Sequence, residues 1–403
     1  MGKKRIVVTG AGIVSAIGHN LQATTSALFA HTSGIGSVSA IDTSAYTIHI
    51  AAQVADGPWT QTELNRTRLL ARNDRFGLTA FREARRMAGL EAKHAMRESA
   101  IVLGAGAGGM LNAERFRRAF FAGKQASLRL LPAIPANVTT DIIAADSGLT
   151  GLRATIATAC SSSNSAIGQA CDLIRYDGYP MVITGGAEAL SELTFAGFHN
   201  LRNMDKNPCK PFAADRKGLN LGECGAILIL EDYDHARGRK AGILAEILDY
   251  GTSCDAHHIT TPHPQGQGAY LAMAQALAKS GLKPKDIDYI NAHGTGTKLN
   301  DISESRAIMT LFGEQNRDVP VSSSKSYVGH CLGAAGAVEA VFCILALREQ
   351  VLLPTLRYQQ KDPAIHANII GEEIKAAPVT HILSNSFGFG GNNAAIVFKR
   401  WQA

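Results

Sequence analysis

The stretch that decides the fold is RATIATACSSSNSAIGQACDLI (residues 153–174), and it has a counterpart in VPVSSSKSYVGHCLGAAGAVEAVFCILAL (residues 319–347). Each begins as a short apolar strand, passes through a turn of small residues and continues as a helix. The order of the surrounding elements repeats as well, although any α/β protein shows some alternation of this kind. The sequence predicts an α/β fold built from a duplicated unit, with halves at 1–245 and 246–403.

The composition limits the classes of function. Hydrophobic residues make up 46% of the 403 residues and charged residues 18%, which is typical of a globular enzyme with a large interior. The net charge of +6 comes without a long basic run, which argues against nucleic-acid binding. The seven cysteines lack CxxC spacing, so we expect neither disulfides nor zinc, and a reducing cytoplasm is the expected compartment. The apolar stretches are too short for a membrane helix.

The first candidate for chemistry is Cys160, at the point where the first stretch passes from strand to helix. A thiol at a helix N-terminus lies close to unpaired N–H groups and to the positive end of the helix dipole, which lower the pKa of the sulfur. Cys160 is therefore a candidate nucleophile. A buried structural cysteine is the alternative, and the other cysteines fit that alternative better.

A histidine follows a predicted strand in NAHGTGTKLND. Gly294 and Gly296 allow a sharp turn, so that the imidazole of His293 and the hydroxyls of Thr295 and Thr297 can face a common space. A structural turn histidine is the alternative. A zinc site is not expected, because the motif lacks the ligand spacing of a metal-binding helix.

A second histidine, His330, begins the long helix of the second stretch, five residues after Lys325. A nearby cation disfavours protonation of an imidazole, so we expect His330 to stay neutral and able to donate one hydrogen bond. Because α/β proteins gather their sites at the carboxyl ends of strands, we expect Cys160, His293 and His330 to meet in one pocket between the halves.

The segment SNSFGFGGNN near the C-terminus surrounds Phe387 and Phe389 with glycines. Its exposed backbone N–H groups could stabilise an oxyanion, whereas a phosphate cradle would need a following GK[ST]. The opening TGAGIVSAIG is a poor match to a dinucleotide fingerprint, since Ser15 replaces the third glycine. A nicotinamide-dependent reductase therefore remains only a rival interpretation.

Together these segments resemble the β-ketoacyl-acyl-carrier-protein synthases of types I and II, members of the thiolase superfamily, over nearly the whole chain. The motifs are TAC before a helix, NAHGTGT with Asp301 and Glu304 behind it, KSYVGH followed by LGAAGAVE, and NSFGFGG. The resemblance implies a thiolase-like duplicated fold with α-β-α-β-α layering, in which two mixed sheets surround a central helix layer. It also implies decarboxylative condensation of a malonyl unit with an acyl group, which lengthens a chain by two carbons.

The resemblance implies a role for each catalytic residue. Cys160 corresponds to the acylated nucleophile, and its N–H group forms an oxyanion hole with that of Phe389. The imidazoles of His293 and His330 correspond to the pair that assists decarboxylation. The expected support for this pair is Lys325, ion-paired with Glu304.

The resemblance implies binding residues as well. Those for the substrate and its phosphopantetheine arm are Thr295, Thr297, Ala107 and Phe387, with Phe389 as a gate. Those for docking the acyl carrier protein are Arg68, Arg72 and Arg129. A structural monovalent cation is implied at Asn291, Glu339, Ser384 and Asn385, and no catalytic metal or other cofactor is expected.

Two departures from the family pattern bear on the substrate. Residues 161–164, SSSN, replace the more usual small residues after the nucleophile, and Asn392 stands where Thr is more usual. With the small Ala107 at the expected gate, they favour a specialised polyene or polyketide role, such as aryl polyene assembly, over bulk fatty-acid synthesis.

The assembly remains open at this stage. A homodimer is expected, and a heterodimer with a chain-length-factor-like paralogue is the alternative. A non-catalytic partner subunit with the same fold is the rival function. The intact set of Cys160, His293 and His330 favours catalysis.

Overall fold

The computed structural model describes residues 3–55, 70–92, 95–314, 318–371 and 373–402. Its strands are β1 (Ile6–Ser15), β2 (Gly36–Ser37), β3 (Ile50–Ala51), β4 (Ala100–Gly104), β5 (Arg153–Ile156), β6 (Met181–Glu188), β7 (Cys224–Asp232), β8 (Ala245–Cys254), β9 (Tyr289–Asn291), β10 (Pro320–Ser322), β11 (Val351–Leu352), β12 (Asn368–Ile369), β13 (Lys375–Ala376), β14 (His381–Gly388) and β15 (Asn392–Arg400). Its helices are α1 (Leu21–Phe29), α2 (Arg72–Met87), α3 (Met110–Phe121), α4 (Val138–Ser147), α5 (Ser162–Arg175), α6 (Glu192–Asn200), α7 (Tyr233–Gly238), α8 (Gln267–Ser280), α9 (Lys298–Phe312), α10 (Lys325–Val328) and α11 (Ala335–Glu349).

Among the described residues, the main sheet has 11 strands in the order β12-β10-β9-β14-β15-β8-β1-β7-β6-β4-β5. The run β5-β4-β6-β7-β1 has the same order and strand directions as the run β10-β9-β14-β15-β8. The two halves of the chain therefore build matching halves of the sheet.

The expectation of two separate sheets is corrected by the contact between these halves. β1 pairs with β8 through Ile6 and Ile247, Val7 and Glu246, and Val8 and Ala245, which makes the described strands of both halves one continuous mixed sheet. The α/β class itself is confirmed.

Two helices lie between the halves of the sheet. α5 packs against β4 and β6 and also contacts β8 and β15, while α11 packs against β14 and β15 and also contacts β1 and β7. α11 is buried along nearly its whole length, in keeping with a sequence that is apolar except for Glu339 and its last two residues. Outside the sheet, α2 covers β1 and β7, and α8 covers β8 and β15.

This arrangement positions the site, because both central helices start at the same end of the sheet. The first quoted stretch enters α5 and the second enters α11, and the two helices contact each other. Gly336 permits this approach, since a Cβ there would lie 2.5 Å from Asn164 Oδ1 on α5. None of the helices in the described ranges is both long enough and apolar enough to cross a bilayer.

Candidate active site

Cys160 sits in a short 3-10 turn, Ala159–Ser161, between β5 and α5. The preceding residue, Ala159, has a φ of 50°, a left-handed conformation that is unfavourable for a residue with a Cβ. The end of β14, where the glycine-rich loop begins, passes directly over this turn, because a Cβ on Gly388 would lie 2.9 Å from the backbone nitrogen of Cys160. The nucleophile candidate is thus held on a strained turn beneath the glycine-rich loop.

The ionisation of Cys160 differs from the sequence-based expectation. Burial raises the pKa of the Cys160 thiol to about 11, although Lys325 and the backbone N–H of Phe389 act in the opposite direction. Desolvation therefore outweighs the helix terminus that was expected to lower this pKa. The resting group at neutral pH is the thiol, so a nucleophilic role for Cys160 would require a proton acceptor.

That acceptor is in place. The Nε2 atom of His330 lies 3.0 Å from Cys160 Sγ. Burial and the charge of Lys325 hold the pKa of His330 well below its usual value, so the ring is neutral at physiological pH. Its Nδ1 atom is buried without a hydrogen-bond partner among the described residues, so no neighbour fixes which nitrogen carries the proton.

The tautomer of His293 is fixed by a neighbour. Lys325 Nζ lies 3.2 Å from His293 Nδ1. An ammonium group can only donate, so Nδ1 accepts and Nε2 carries the proton of the neutral ring. The pKa of His293 is lowered well below its usual value by burial, by Lys325 and by His330.

The expected ion pair between Lys325 and Glu304 is wrong. Lys325 instead pairs with Glu339 of α11, and both side chains are buried. The carboxylate of Glu304 accepts the backbone N–H groups of His293 and Gly294, each at 2.8 Å, and so holds the turn that presents His293. Burial raises the pKa of Glu304 to about 7.

The reactive atoms converge on one point. The sulfur of Cys160 and one ring nitrogen each of His293 and His330 all lie within 4.8 Å of one another. The centroids of the two imidazole rings are 5.3 Å apart, and the rings are nearly perpendicular. The N–H groups of Cys160 and Phe389 both act on the Cys160 sulfur. The structure therefore gathers one thiol, two neutral imidazoles and two backbone donors in one place.

These groups open into a cavity of about 400 Å³ that contains both histidines, Phe387 and Phe389 in its lining. Thr295 and Thr297 also line it, with their hydroxyl oxygens 2.8 Å apart. The common space expected for the NAHGTGT motif is therefore present.

Several lining residues were not anticipated from the sequence. Phe198 of α6 stacks on Phe389 at 5.5 Å between ring centroids and packs edge-on against His330. Three exposed cations, Arg202, Lys217 and Lys298, also line the cavity. Lys298 directly follows the NAHGTGT motif, which was a usable signal, whereas nothing in the local sequence marks the other three.

The remaining predicted binding residues lie elsewhere. Ala107 is outside the cavity lining, and its N–H donates to Glu188. The prediction of Arg72 as a docking residue is corrected, because its guanidinium is mostly buried and ion-paired with the fully buried Glu223. Arg129 is exposed, as docking requires, and Arg68 lies outside the described residues.

Of the four residues implied for a cation, only Asn291 and Ser384 are hydrogen-bonded to each other among the described contacts. Asn291 Nδ2 donates to Ser384, while the Glu339 carboxylate is bound to Lys325. Asn385 Oδ1 is buried without a hydrogen-bond partner among the described residues, which is the one observation that fits a cation ligand. The cation site stays a prediction.

Two family models together match most of the chain. The N-terminal domain of the β-ketoacyl synthases matches residues 3–236, and their C-terminal domain matches residues 244–359. The chain belongs to the β-ketoacyl synthase family, and the enzyme class predicted from its motifs, an acyltransferase, is confirmed.

Individual relatives agree with the family models. The chain is 34% identical to 3-oxoacyl-(acyl-carrier-protein) synthase 2 of Staphylococcus aureus, with 99% of each chain covered. It is 36% identical, with the same coverage, to the enzyme of that name from Synechocystis. Among solved structures, the ishigamide ketosynthase/chain length factor superposes with a TM-score of 0.93 at 31% identity, covering 100% of both chains.

Proposed function

We propose that this protein is a 3-oxoacyl-acyl-carrier-protein synthase, which condenses an acyl group on Cys160 with a malonyl unit and releases CO2. The observation that carries the proposal is the convergence of Cys160, His293 and His330 within 4.8 Å, although they are far apart in sequence. Relatives named for this activity cover the whole chain at 34–36% identity.

In the first step, Cys160 takes the acyl group from the carrier. The thiol attacks the thioester carbonyl while Nε2 of His330, 3.0 Å away, takes its proton. The N–H groups of Cys160 and Phe389 stabilise the oxyanion of the tetrahedral intermediate. When the carrier–sulfur bond breaks, His330 returns the proton to the carrier thiolate.

In the second step, a malonyl unit loses CO2 and the electrons of the broken C–C bond form an enolate. The enolate oxygen requires neutral hydrogen-bond donors in a dry site, and Nε2–H of His293 is one because Lys325 occupies Nδ1. His330 supplies the second donor, since its unpartnered Nδ1 allows the proton to reside on Nε2. The enolate carbon attacks the acyl carbonyl, the bond to sulfur breaks, and the Cys160 thiolate that leaves takes up one proton from solvent.

The acyl carrier protein is the proposed partner. Arg202, Lys217 and Lys298 give the cavity a cationic rim, which complements an acidic carrier and a phosphate-bearing arm. Thr295 and Thr297 lie along the same route inward and are suited to contact the arm. The exposed Arg129 is retained as a peripheral docking residue.

The proposal also covers pathway and assembly. The SSSN segment favours a specialised polyene or polyketide pathway in the cytoplasm, whereas Ala107 no longer supports that choice because it lies outside the cavity lining. A homodimer is expected, and the ishigamide ketosynthase/chain length factor supports a heterodimer as the alternative. The matching strand orders support the two thiolase-like halves, 1–245 and 246–403.

The test is intact-mass analysis after incubation with acyl-loaded carrier, followed by malonyl-loaded carrier. We expect a thioester on the wild-type protein but not on Cys160→Ala, and a product longer by two carbons. A protein that never acquires the acyl group would instead be the non-catalytic subunit of a heterodimer.

A further inference from the structure

Glu188, at the end of β6, is a fully buried carboxylate outside the proposed catalytic set. It accepts the N–H group of Gly106, and both of its oxygens lie 3.2 Å from the nitrogen of Ala107. Two consecutive backbone donors therefore converge on one buried carboxylate, and this fixes the Gly106–Ala107 turn to the end of the strand.

The Gly106–Ala107 turn also contacts the segment that follows His330. Leu332–Ala334 forms a 3-10 turn, and a Cβ on Gly333 would lie 2.5 Å from the nitrogen of Gly106 and 2.9 Å from Glu188 Oε1. Leu332 has a φ of 47°, so this turn is held in a conformation unfavourable for leucine. Glu188 thus lies where the two turns meet.

The same segment reaches the helix behind the nucleophile. Gly104, two residues before Gly106, is so close to the start of α5 that a Cβ there would lie 2.3 Å from the nitrogen of Ser163. The backbone N–H of Ala105 donates to Ile156 at the end of β5, just before the turn that carries Cys160. A shift of this segment would therefore move Cys160 and His330 relative to each other.

We propose that Glu188 is a positioning residue. Its carboxylate holds the Gly106–Ala107 turn against the Leu332–Ala334 turn and so fixes the distance between Cys160 and His330. The proposal deepens the condensation chemistry and rests on that proposed function for its biological meaning. A carboxylate accepts both N–H groups, whereas a carboxylic acid places a hydroxyl against one of them and weakens the contact between the two turns.

The carboxyl group of Glu188 should change its protonation state near neutral pH. Burial raises the pKa of Glu188 to about 7, despite the two N–H groups. Cys224 faces it across the β6–β7 pair, and the Cys331 thiol contacts Cys224. Burial raises the pKa of Cys224 well above its usual value, and Glu339 adds to that effect, so Cys224 stays neutral near pH 7.

The test uses alkylation of Cys160 by iodoacetamide, followed by mass spectrometry of the peptide that contains Cys160, with Cys160→Ala as the blank. Glu188→Gln imitates the protonated carboxyl at every pH. The ratio of the wild-type rate to the Glu188→Gln rate should be close to one at pH 6 and rise to about fivefold at pH 8. Because both proteins keep the Cys160 thiol, its own titration cancels in this ratio.

Glu192→Gln, at the partly exposed start of α6 where Glu192 pairs with Arg118, is the matched control, and its ratio should stay near one throughout. A pH-independent ratio for Glu188→Gln would overturn the proposal, since a merely structural carboxyl would give that result. If Glu188→Gln does not fold, Gly333→Ala serves instead, because it keeps the carboxylate but forces the two turns apart. An unchanged rate of Cys160 alkylation in Gly333→Ala would overturn the proposal. Alkylation needs no carrier, so a failure to acylate with carrier would reject the proposed function alone.

Discussion

Lys325 Nζ donates to His293 Nδ1 at 3.2 Å and is ion-paired on its other side with Glu339. One buried cation therefore fixes the tautomer of His293 and helps to lower the pKa of both His293 and His330. The ammonium needs Glu339, because an unpaired charge at this depth would be strongly destabilising.

The identity of this counterion can be tested by paired substitutions. Lys325→Met should lower the free energy of unfolding by about 3–5 kcal/mol, since it leaves Glu339 buried without a counter-charge. Adding Glu339→Gln should restore about 1–3 kcal/mol, measured by urea denaturation. Adding Glu304→Gln instead should restore nothing. If stability were recovered with Glu304→Gln rather than with Glu339→Gln, Glu304 would be the counterion of Lys325, as the sequence had predicted.

Substitution of His293, unlike that of His330, should separate the two half-reactions. His330→Ala removes the group that contacts Cys160 Sγ and should slow acylation by about 10²–10⁴-fold. His293→Ala should slow acylation by less than about tenfold, yet lower CO2 release from malonyl carrier by about 10²–10³-fold, because it removes an enolate donor. Intact mass measures the first rate and CO2 release the second. Equal losses in both variants and both assays would contradict the division of roles.

Phe198 should keep the glycine-rich loop closed over the acyl group. Its stacking on Phe389 at 5.5 Å is worth about 0.5–1.5 kcal/mol, so Phe198→Ala should speed hydrolysis of the acyl-enzyme by about two- to tenfold. Decay of the acylated mass over time measures this rate. Leu193→Ala, on the exposed face of the same helix, is the control and should leave the decay unchanged.

Sequence predicted the meeting of Cys160, His293 and His330, because each follows a strand and the carboxyl ends of strands cluster. It did not predict how the halves join, since continuity of the sheet depends on three residue pairs between β1 and β8, with no distinct local pattern. The counterion of Lys325 was misassigned for a related reason. Both Glu304 and Glu339 are buried, and only the folded backbone shows that Glu304 is occupied by two N–H groups.

The pKa of Cys160 likewise could not be predicted from the local sequence. A helix start is visible in sequence, and its effect on a thiol is predictable. The degree of desolvation depends on α11, β14 and the loop of Phe389, which are distant in the chain. For Cys160 this tertiary contribution is the larger one, and it raises the pKa to about 11.

Buried neutral imidazoles should make the fold sensitive to acid. The pKa of His330 is lower in the folded protein than in the unfolded chain, so unfolding takes up a proton once the pH falls below about 6.5. The His330 contribution to stability is complete above that pH and is lost as the pH falls. Relative to His330→Gln, wild type should lose about 1.3 kcal/mol of unfolding free energy between pH 7.0 and pH 5.5 at equal protein concentration. A constant difference in urea denaturation would contradict a neutral buried ring.

The cationic rim should govern the use of carrier-bound substrates. Lys217→Glu and Lys298→Glu reverse exposed charges at the cavity, whereas Arg153→Glu reverses an exposed charge outside the cavity lining. We expect each rim variant to raise KM for acyl carrier by about tenfold at low salt, and the difference from wild type to shrink as salt screens the interaction. Alkylation of Cys160 should be unchanged in all three, because a small neutral reagent does not depend on docking. Equal effects of Arg153→Glu and the rim variants would place the carrier on another surface.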